Sequence, residues 1–176
     1  DNGFADTEQE IINKLSKPRT RSLGKTRSFT PNTKEKTRTI VVMGTENKEP
    51  VKKTVVVNPD EPVNKVNMKI EFDYDSSAIR AQAYSVLDEL GGAVTSSRLE
   101  SRRITIIGHT DSDGPDDYNL RLSMKRARSV KNYLVGRYRV SPDRIKVLGY
   151  GEAMPLEPNT TADNKQLNRR VEIRAE

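Results

Sequence analysis

The stretch RRITIIGHTDSDGPDDYNLRLSMKRARSVKNYLVGR, residues 102–137, contains the strongest fold signal in the chain. It begins with consecutive apolar residues, which favour a central strand covered on at least one face. The polar loop SDGPDD follows, and Asp116 or Asp117 can cap the next helix and favour its positive end. That helix is predicted from about Tyr118 to Arg137, because apolar residues recur at spacings of four, three, three and four. These residues are Leu120, Met124, Ala127, Val130 and Leu134.

Further strands and a second helix flank this unit. Upstream, NMKIEFDYD predicts a strand over about 67–74. The next segment, SSAIRAQAYSVLDELGG, predicts a helix. Ser76 or Ser77 can cap its start, and Gly91-Gly92 can end it. Its apolar face comprises Ile79, Ala83, Val86, Leu87 and Leu90. Downstream, strands are predicted near 144–149 and in LNRRVEIRA, with a long polar loop between them. The order βαβαβ, a loop and β predicts an α/β domain (an α+β sandwich) over 63–176, with two helices on one face of a four-strand mixed sheet.

Residues 1–62 differ in composition from the rest. TEQEIINKL is amphipathic, with Ile11, Ile12 and Leu15 on one side at helical spacing, and a basic segment rich in Thr, Ser and Pro follows. The β-branched groups at 39–43 and 54–57 are candidates for a hairpin, for strands added to a sheet edge, or for pairing with a second copy. The region is predicted to be basic and mostly extended or flexible, with most of 1–38 mobile and 39–57 ordered only by contact.

The charge of the chain is concentrated in that N-terminal region. Between Ser16 and Arg38 lie eight cationic residues against Glu35 alone, or +7, whereas the whole chain carries +6, so the remainder sums to −1. A DNA-binding domain is expected to carry its charge on its folded face, so no nucleic-acid partner is predicted. The absence of cysteine excludes disulfides and thiolate zinc sites. No apolar run is long enough for a spanning helix, and DNGFADTEQE is not a signal peptide, so any export signal is expected to lie outside this sequence.

The single histidine and the acids after it are candidates for a metal site. One histidine without cysteine disfavours zinc, and a calcium loop beginning at Asp111 would lack its sixth-position Gly and, at Leu122, its twelfth-position Glu. His109 is therefore interpreted as a packed residue at a strand end. The chain also lacks a G-x-S-x-G turn, a P-loop and a dinucleotide fingerprint. The sequence predicts neither an enzyme nor a cofactor, and no metal site.

A polar stripe on the long helix leads to a binding hypothesis. Asn119, Ser123 and Arg126 fall at i, i+4 and i+7, on a stripe that borders the buried one. Asp111 lies just past the end of the preceding strand, where open α/β sheets tend to bind ligands. Two interpretations remain open for the pair. Asp111 and Arg126 form an internal salt bridge, or they clamp a zwitterion, with the acid on its ammonium and the arginine on its carboxylate.

The segments IEFDYDSSAI, IIGHTDSDGPDDYNLRLSMKRARSVKNYL, RIKVLGYGEAMPLEPNTT and NRRVEI resemble the OmpA-like peptidoglycan-binding domain family over about 63–176. The resemblance rests on the ordered pattern G-H-T-D, N-x-x-L-S-x-x-R-A, G-x-G and N-R-R-V-E. It implies a non-catalytic periplasmic domain that anchors an outer-membrane protein or lipoprotein of Gram-negative bacteria to the wall. The implied ligand is the diaminopimelate of the peptidoglycan stem peptide. Carried over by position, the ligand residues are Asp111 and Arg126, with Thr110, Asn119, Asp75 and Arg169 in the same site.

An alternative consistent with the same family is the wall anchor of an envelope machine, such as a flagellar stator or a secretion system. Residues 1–62 would then be a partner-binding arm. Two further interpretations of the basic region 1–62 remain open. It is a solvated, flexible spacer, or it contacts anionic wall polymer, lipid headgroups or a protein. A homodimer or an envelope protein partner through residues 1–62 is a further expectation. Contact with a membrane is expected only through an anchor outside this sequence.

Overall fold

The computed structural model describes residues 3–18, 37–59 and 63–176. Four α-helices and six strands occur in these ranges. In chain order they are α1 Glu8–Leu15, β1 Arg38–Glu46, β2 Glu49–Val57, β3 Lys65–Met68, α2 Tyr84–Thr95, β4 Ile104–His109, α3 Asp116–Tyr138, β5 Ile145–Gly151, α4 Ala162–Asn168 and β6 Val171–Ala175. Short 3-10 turns at Ala81–Ala83 and Pro142–Arg144 lead into α2 and β5. None of the helices in these ranges is long and apolar enough to cross a membrane.

The strands form one mixed sheet in the order β2-β1-β5-β4-β6-β3. Only β4 and β5 run parallel, and the other neighbours are antiparallel. The predicted packing of helices on a mixed sheet is confirmed, but the predicted count of four strands is wrong. The two additional strands are the β-branched groups of the N-terminal region. They pair as a hairpin whose first strand meets β5 at Met43 and Gly149.

The hairpin turn explains how these two strands come together. Its central residues, Asn47 and Lys48, both have positive φ, 50° and 70°. A two-residue loop with two left-handed residues matches the right-handed twist of the flanking strands. The hairpin is also tied to α3, because Lys52 Nζ lies 2.6 Å from Asp117 Oδ1.

Helix α3 packs against the centre of the sheet. The predicted stripe of α3 is confirmed, because all five of its apolar residues are buried in the main core. The helix approaches β4 very closely at Gly108, where a Cβ atom would lie 2.0 Å from the carbonyl oxygen of Ser123. Ser123 itself donates to the Leu120 carbonyl at 2.9 Å and accepts from the Gly151 amide at 3.0 Å. The close approach of α3 to β4 at Gly108 and Ser123 fixes the two ends of the loop that connects them.

Helix α1 belongs to the same core. Its predicted apolar side is confirmed, since Ile11, Ile12 and Leu15 are buried. The helix packs on α2, where Glu8 lies against Gly92. The basic segment that follows α1 falls largely on residues 19–36, outside the ranges that the structure describes. The boundary at residues 62 and 63 stays a prediction.

Several element ends differ from expectation. Ser76 does not cap α2, because its Oγ accepts from the Ala78 amide at 2.9 Å while the helix begins at Tyr84. The pair 91–92 does not end α2, which continues to Thr95, since Gly91 makes room there for a tyrosine ring.

The remaining differences lie at the ends of the first core strand, α3 and the polar loop. Strand β3 ends at Met68, because the chain then bends into a bridge between Phe72 and Ile79. The N-cap of α3 is Pro115, so Asp116 and Asp117 do not cap it but lie in its first turn, where they still favour its positive end. The long polar loop before β6 contains α4, which Thr161 caps by accepting from the Asn164 amide at 3.1 Å.

Candidate ligand-binding cleft

A cleft of about 740 Å³ lies where β4 ends and α3 begins. Its other walls come from the bend after β3 and from the residue that follows α4. The structure brings all six predicted site residues together here. They are Asp75, Thr110, Asp111, Asn119, Arg126 and Arg169. We refer to this space as the site cleft.

Asp111 is the buried acid of the site cleft, with only 6% of its surface exposed. Its Oδ1 accepts from the Asp113 amide at 3.0 Å, which fixes the carboxylate at the start of the loop. Its Oδ2 accepts from Nη1 of Arg169. The side chain of Arg169 is 43% exposed, so this partner can move into solvent. The carboxylate is thus held in place and paired with a replaceable cation.

Arg126 lies half-buried on α3 at the opposite wall. Its Nε donates to the Ser76 carbonyl at 3.1 Å, and its guanidinium carbon lies 5.1 Å from the ring centroid of Phe72. Burial lowers the pKa of Arg126, and the nearby charge of Arg169 lowers it further, while Asp111 acts in the opposite direction. An arginine remains charged in such surroundings. The site cleft therefore contains a charged guanidinium that is oriented by a carbonyl and an aromatic ring.

The two interpretations of Asp111 and Arg126 can now be compared with the geometry. Among the ion pairs of the described ranges, Asp111 is paired with Arg169, and Arg126 has no carboxylate partner. The internal salt bridge between Asp111 and Arg126 is therefore wrong for this structure. Both charges nevertheless line one cleft, as a clamp would require.

Asn119 and Thr110 shape the floor of the site cleft. The Nδ2 of Asn119 donates to Glu152 Oε2 at 2.8 Å and to the Asp111 carbonyl at 3.3 Å, so it fixes the loop. The hydroxyl of Thr110 is buried and has no hydrogen-bond partner in the part of the chain described. Buried polar groups are rarely left unpaired, so this hydroxyl is unusual among the residues of the site cleft.

The bend after β3 forms the mouth of the cleft. Asp75 is exposed there and has a φ of 51°, in the left-handed region, so its backbone is turned sharply. The neighbouring Tyr74 is 98% exposed. Phe72, Tyr74 and Tyr118 line the cleft, and sequence analysis did not select them. The alternation of apolar residues in EFDYD could have indicated Phe72. Tyr118 carries no such signal, because it lies outside the apolar stripe of α3.

His109 is packed as predicted and lies behind the cleft. It is 2% exposed, and its ring meets that of Tyr150 edge-on at 5.5 Å. Its Nε2 lies 3.4 Å from Oε2 of Glu172, whose Oε1 accepts from Arg174 at 2.6 Å. Burial lowers the pKa of His109 to about 4, so the ring is neutral at pH 7.

A known protein family resembles this chain over the range that contains the site cleft. The OmpA family model matches residues 71–169, a range that contains all six site residues. Outer membrane porin F of Pseudomonas aeruginosa is 38% identical over 114 residues, which are 65% of this chain and 32% of the porin. The chain thus spans about a third of the length of that curated relative.

Solved structures share the fold. The peptidoglycan-associated lipoprotein from Burkholderia pseudomallei matches with a TM-score of 0.54 and 27% identity, over 61% of this chain and 88% of that one. A MotB-like protein from Desulfovibrio vulgaris matches with a TM-score of 0.57 and 25% identity, over 78% of each chain. The resemblance in the sequence motifs is confirmed by these matches. The chain belongs to the OmpA family.

Proposed function

We propose that the chain binds peptidoglycan without catalysis, through the diaminopimelate of the stem peptide, and anchors an outer-membrane protein or lipoprotein to the wall. The single observation that carries this proposal is the pair of opposite charges in one cleft. Asp111 receives the ammonium of the diaminopimelate side chain, and Arg126 binds its carboxylate. The expected location is the periplasm, in association with the outer membrane.

Binding involves an exchange of cations at Asp111. The buried carboxylate is paired with Arg169 before the ligand arrives. An incoming ammonium replaces that guanidinium, so the acid is never left unpaired, which would be costly in a buried position. Arg126 starts without a carboxylate partner and gains one. The contact of the ammonium with Asp111 and that of the carboxylate with Arg126 therefore both match the charges of the site cleft.

The relatives support this assignment. The solved lipoprotein is described as peptidoglycan-associated, and the porin is described as an outer-membrane protein. All six residues proposed to contact the ligand lie within the range that the family model matches. Affinity for a single peptide is expected to be modest, with retention on the wall increased by its many binding sites.

The wall anchor of an envelope machine is the second candidate. It is favoured by the likeness to the MotB-like protein, which covers more of this chain than the match to the lipoprotein does. The complete gene discriminates between the two candidates. A lipidated cysteine upstream supports the first, and a single transmembrane helix upstream supports the second.

Co-sedimentation with purified sacculi tests the proposal. Wild-type protein should sediment with them, whereas Asp111→Ala and Arg126→Ala should remain in the supernatant with their far-UV circular dichroism unchanged. Asp143→Ala is the matched control, because it removes an exposed acid remote from the cleft. Normal sedimentation of both folded cleft variants would contradict the site. Muropeptides released from the sacculi would contradict the non-catalytic function.

A further inference from the structure

A second cavity, of about 210 Å³, lies behind the site cleft and shares part of its wall. We call it the inner cavity. Four residues line both cavities, namely Phe72, Arg80, Arg126 and Arg169. Their side chains separate the inner cavity from the site cleft. A ligand held by Arg126 in the site cleft therefore lies beside the inner cavity.

The lining of the inner cavity is strongly cationic. Among the described residues that line it, the only acid is Glu71. The cationic residues are Lys69, Arg80, Arg126, Arg169 and Arg170. Such an excess of one charge in a small space raises the local concentration of ions of the opposite sign.

Carboxylates outside the lining compensate only part of this charge. Arg80 is held by Asp73, with its Nε 3.2 Å from Oδ1, and Arg169 is held by Asp111. Arg170 is held mainly by the Oδ1 of Asn67 at 3.1 Å and the Met154 carbonyl at 3.1 Å, with Glu172 3.9 Å away.

Two cations remain undercompensated. Arg126 has only the Ser76 carbonyl as a polar partner in the described structure. Lys69 shares Glu71 with Arg80, at long distances of 3.8 and 3.9 Å. In the proposed complex Arg126 binds the first carboxylate and the ligand ammonium displaces Arg169 from Asp111, so Lys69 and Arg169 are the cations left for a second anion.

His109 provides an independent observation at the same place. Its ring lines the inner cavity and is almost fully buried. Neither ring nitrogen has an aligned hydrogen-bond partner within the described ranges, although Glu172 lies near Nε2. A neutral imidazole has one N–H donor, and a buried donor without an acceptor is uncommon. Because both ring nitrogens are buried, an anion in the cavity would act on the ring through its charge.

We propose that the inner cavity binds a second carboxylate of the wall peptide, that of the acidic residue next to the diaminopimelate. This inference rests on the proposed function, because the diaminopimelate must occupy the site cleft for its neighbour to reach the inner cavity. The glutamyl carboxylate and the side-chain carboxylate of the diaminopimelate are joined by a flexible chain of single bonds and one γ-amide, so the peptide can place them in two adjoining cavities. The cavity makes the protein selective for wall peptides whose second carboxylate is free rather than amidated.

Calorimetric titration with two synthetic peptides tests this selectivity. One is the tripeptide alanyl-γ-glutamyl-diaminopimelate, and the other is the same tripeptide with the glutamyl carboxylate amidated. Wild-type protein should bind the free acid about 5–10-fold more tightly than the amide. Lys69→Gln should reduce that ratio to about twofold or less, since it removes an undercompensated cation from the lining of the inner cavity. Lys146→Gln, an exposed cation on β5, should leave the ratio unchanged.

The chain's single histidine gives a readout that needs no variant. The ¹⁵N resonances of the His109 ring should shift when the free-acid peptide is added and remain in place with the amide. Equal affinities for the two peptides, or identical ring spectra, would overturn the carboxylate subsite while leaving the proposed function intact. Free diaminopimelate separates the two ideas, because its failure to bind would overturn the proposed function itself.

Discussion

Arg169 donates from Nη1 to Oδ2 of Asp111, although the two residues are 58 positions apart in the chain. This ion pair joins the end of β4 to the start of β6 across the site cleft. It shows that a cation already occupies the place where the proposed ligand would put its ammonium. The carboxylate of Asp111 is therefore already positioned to bind a cation. In the proposed complex the ligand ammonium replaces the guanidinium of Arg169, so no unpaired carboxylate is buried.

Asp111→Asn should abolish most of the affinity for diaminopimelate. The amide keeps the size of the side chain but cannot balance an ammonium, and loss of one partner of a buried charge pair costs about 2–5 kcal/mol. We expect affinity to fall by about 30-fold or more in calorimetric titration. Asp143→Asn is the matched control, because it changes an exposed acid that does not line the site cleft. An equal loss of affinity in both variants would argue against a specific role for Asp111.

Arg126→Lys should weaken binding even though the charge is kept. A lysine cannot form two parallel hydrogen bonds to a carboxylate, and its ammonium stacks less well on the ring of Phe72. We expect affinity for diaminopimelate to fall roughly 5–30-fold in the same titration. Arg128→Lys on the same helix should have no effect. Wild-type affinity in Arg126→Lys would show that only the charge at this position matters.

The stability of the protein should fall as the pH drops from about 6.5 to about 4. The pKa of His109 is about 4 in the folded protein, below its ordinary value of 6.5, so the unfolded chain takes up a proton first. The free energy of unfolding should decrease by about 3 kcal/mol across this window. The depressed pKa of Glu172 acts in the same direction, but only below its ordinary value of 4.5.

Urea unfolding at a series of pH values measures this dependence. His109→Gln should flatten the slope between pH 6.5 and 4.5, whatever its effect on the absolute stability. A slope in that variant as steep as that of the wild type would mean that another group titrates.

Gly91→Ala should destabilise the protein, although alanine normally favours a helix over glycine. A Cβ atom at this position would lie 2.3 Å from the ring of Tyr138. Overpacking of this kind costs about 1–3 kcal/mol, which exceeds the gain in helix propensity. Gly136→Ala in α3 is the matched control, since no atom of the described residues lies within 4 Å of its added Cβ, and it should stabilise by about 0.5–1 kcal/mol. Thermal unfolding of the two variants should shift in opposite directions, and a shift in the same direction would refute the packing argument.

The long helix and the central strands could be predicted because their signals are local. The spacing from Leu120 to Leu134 is set by the helical repeat, and the structure buries those residues as expected. The position of the hairpin in the sheet could not be predicted, because the β-branched groups do not specify which strand they pair with. The end of α2 was misjudged for a similar reason, since the space at Gly91 is set by Tyr138, which lies far along the chain.

The same distinction applies to the site. Asp111 and Arg126 follow from the end of a strand and the phase of a helix, and the motif resemblance added Arg169. The ion pair between Asp111 and Arg169 could not be predicted, because it depends on β6 lying next to β4. The inner cavity is likewise a product of tertiary structure, since its lining comes from five separate stretches of the chain.

The hairpin also determines how the sheet terminates. Strand β2 is the outermost strand on that side, and its sequence includes Pro50 and the exposed Lys52 and Lys53. Proline withholds a backbone donor, and lysines on an edge strand repel a like strand that approaches in register. The sheet therefore ends in a strand that resists further growth, which would keep neighbouring copies from aggregating when many of them are crowded along one surface.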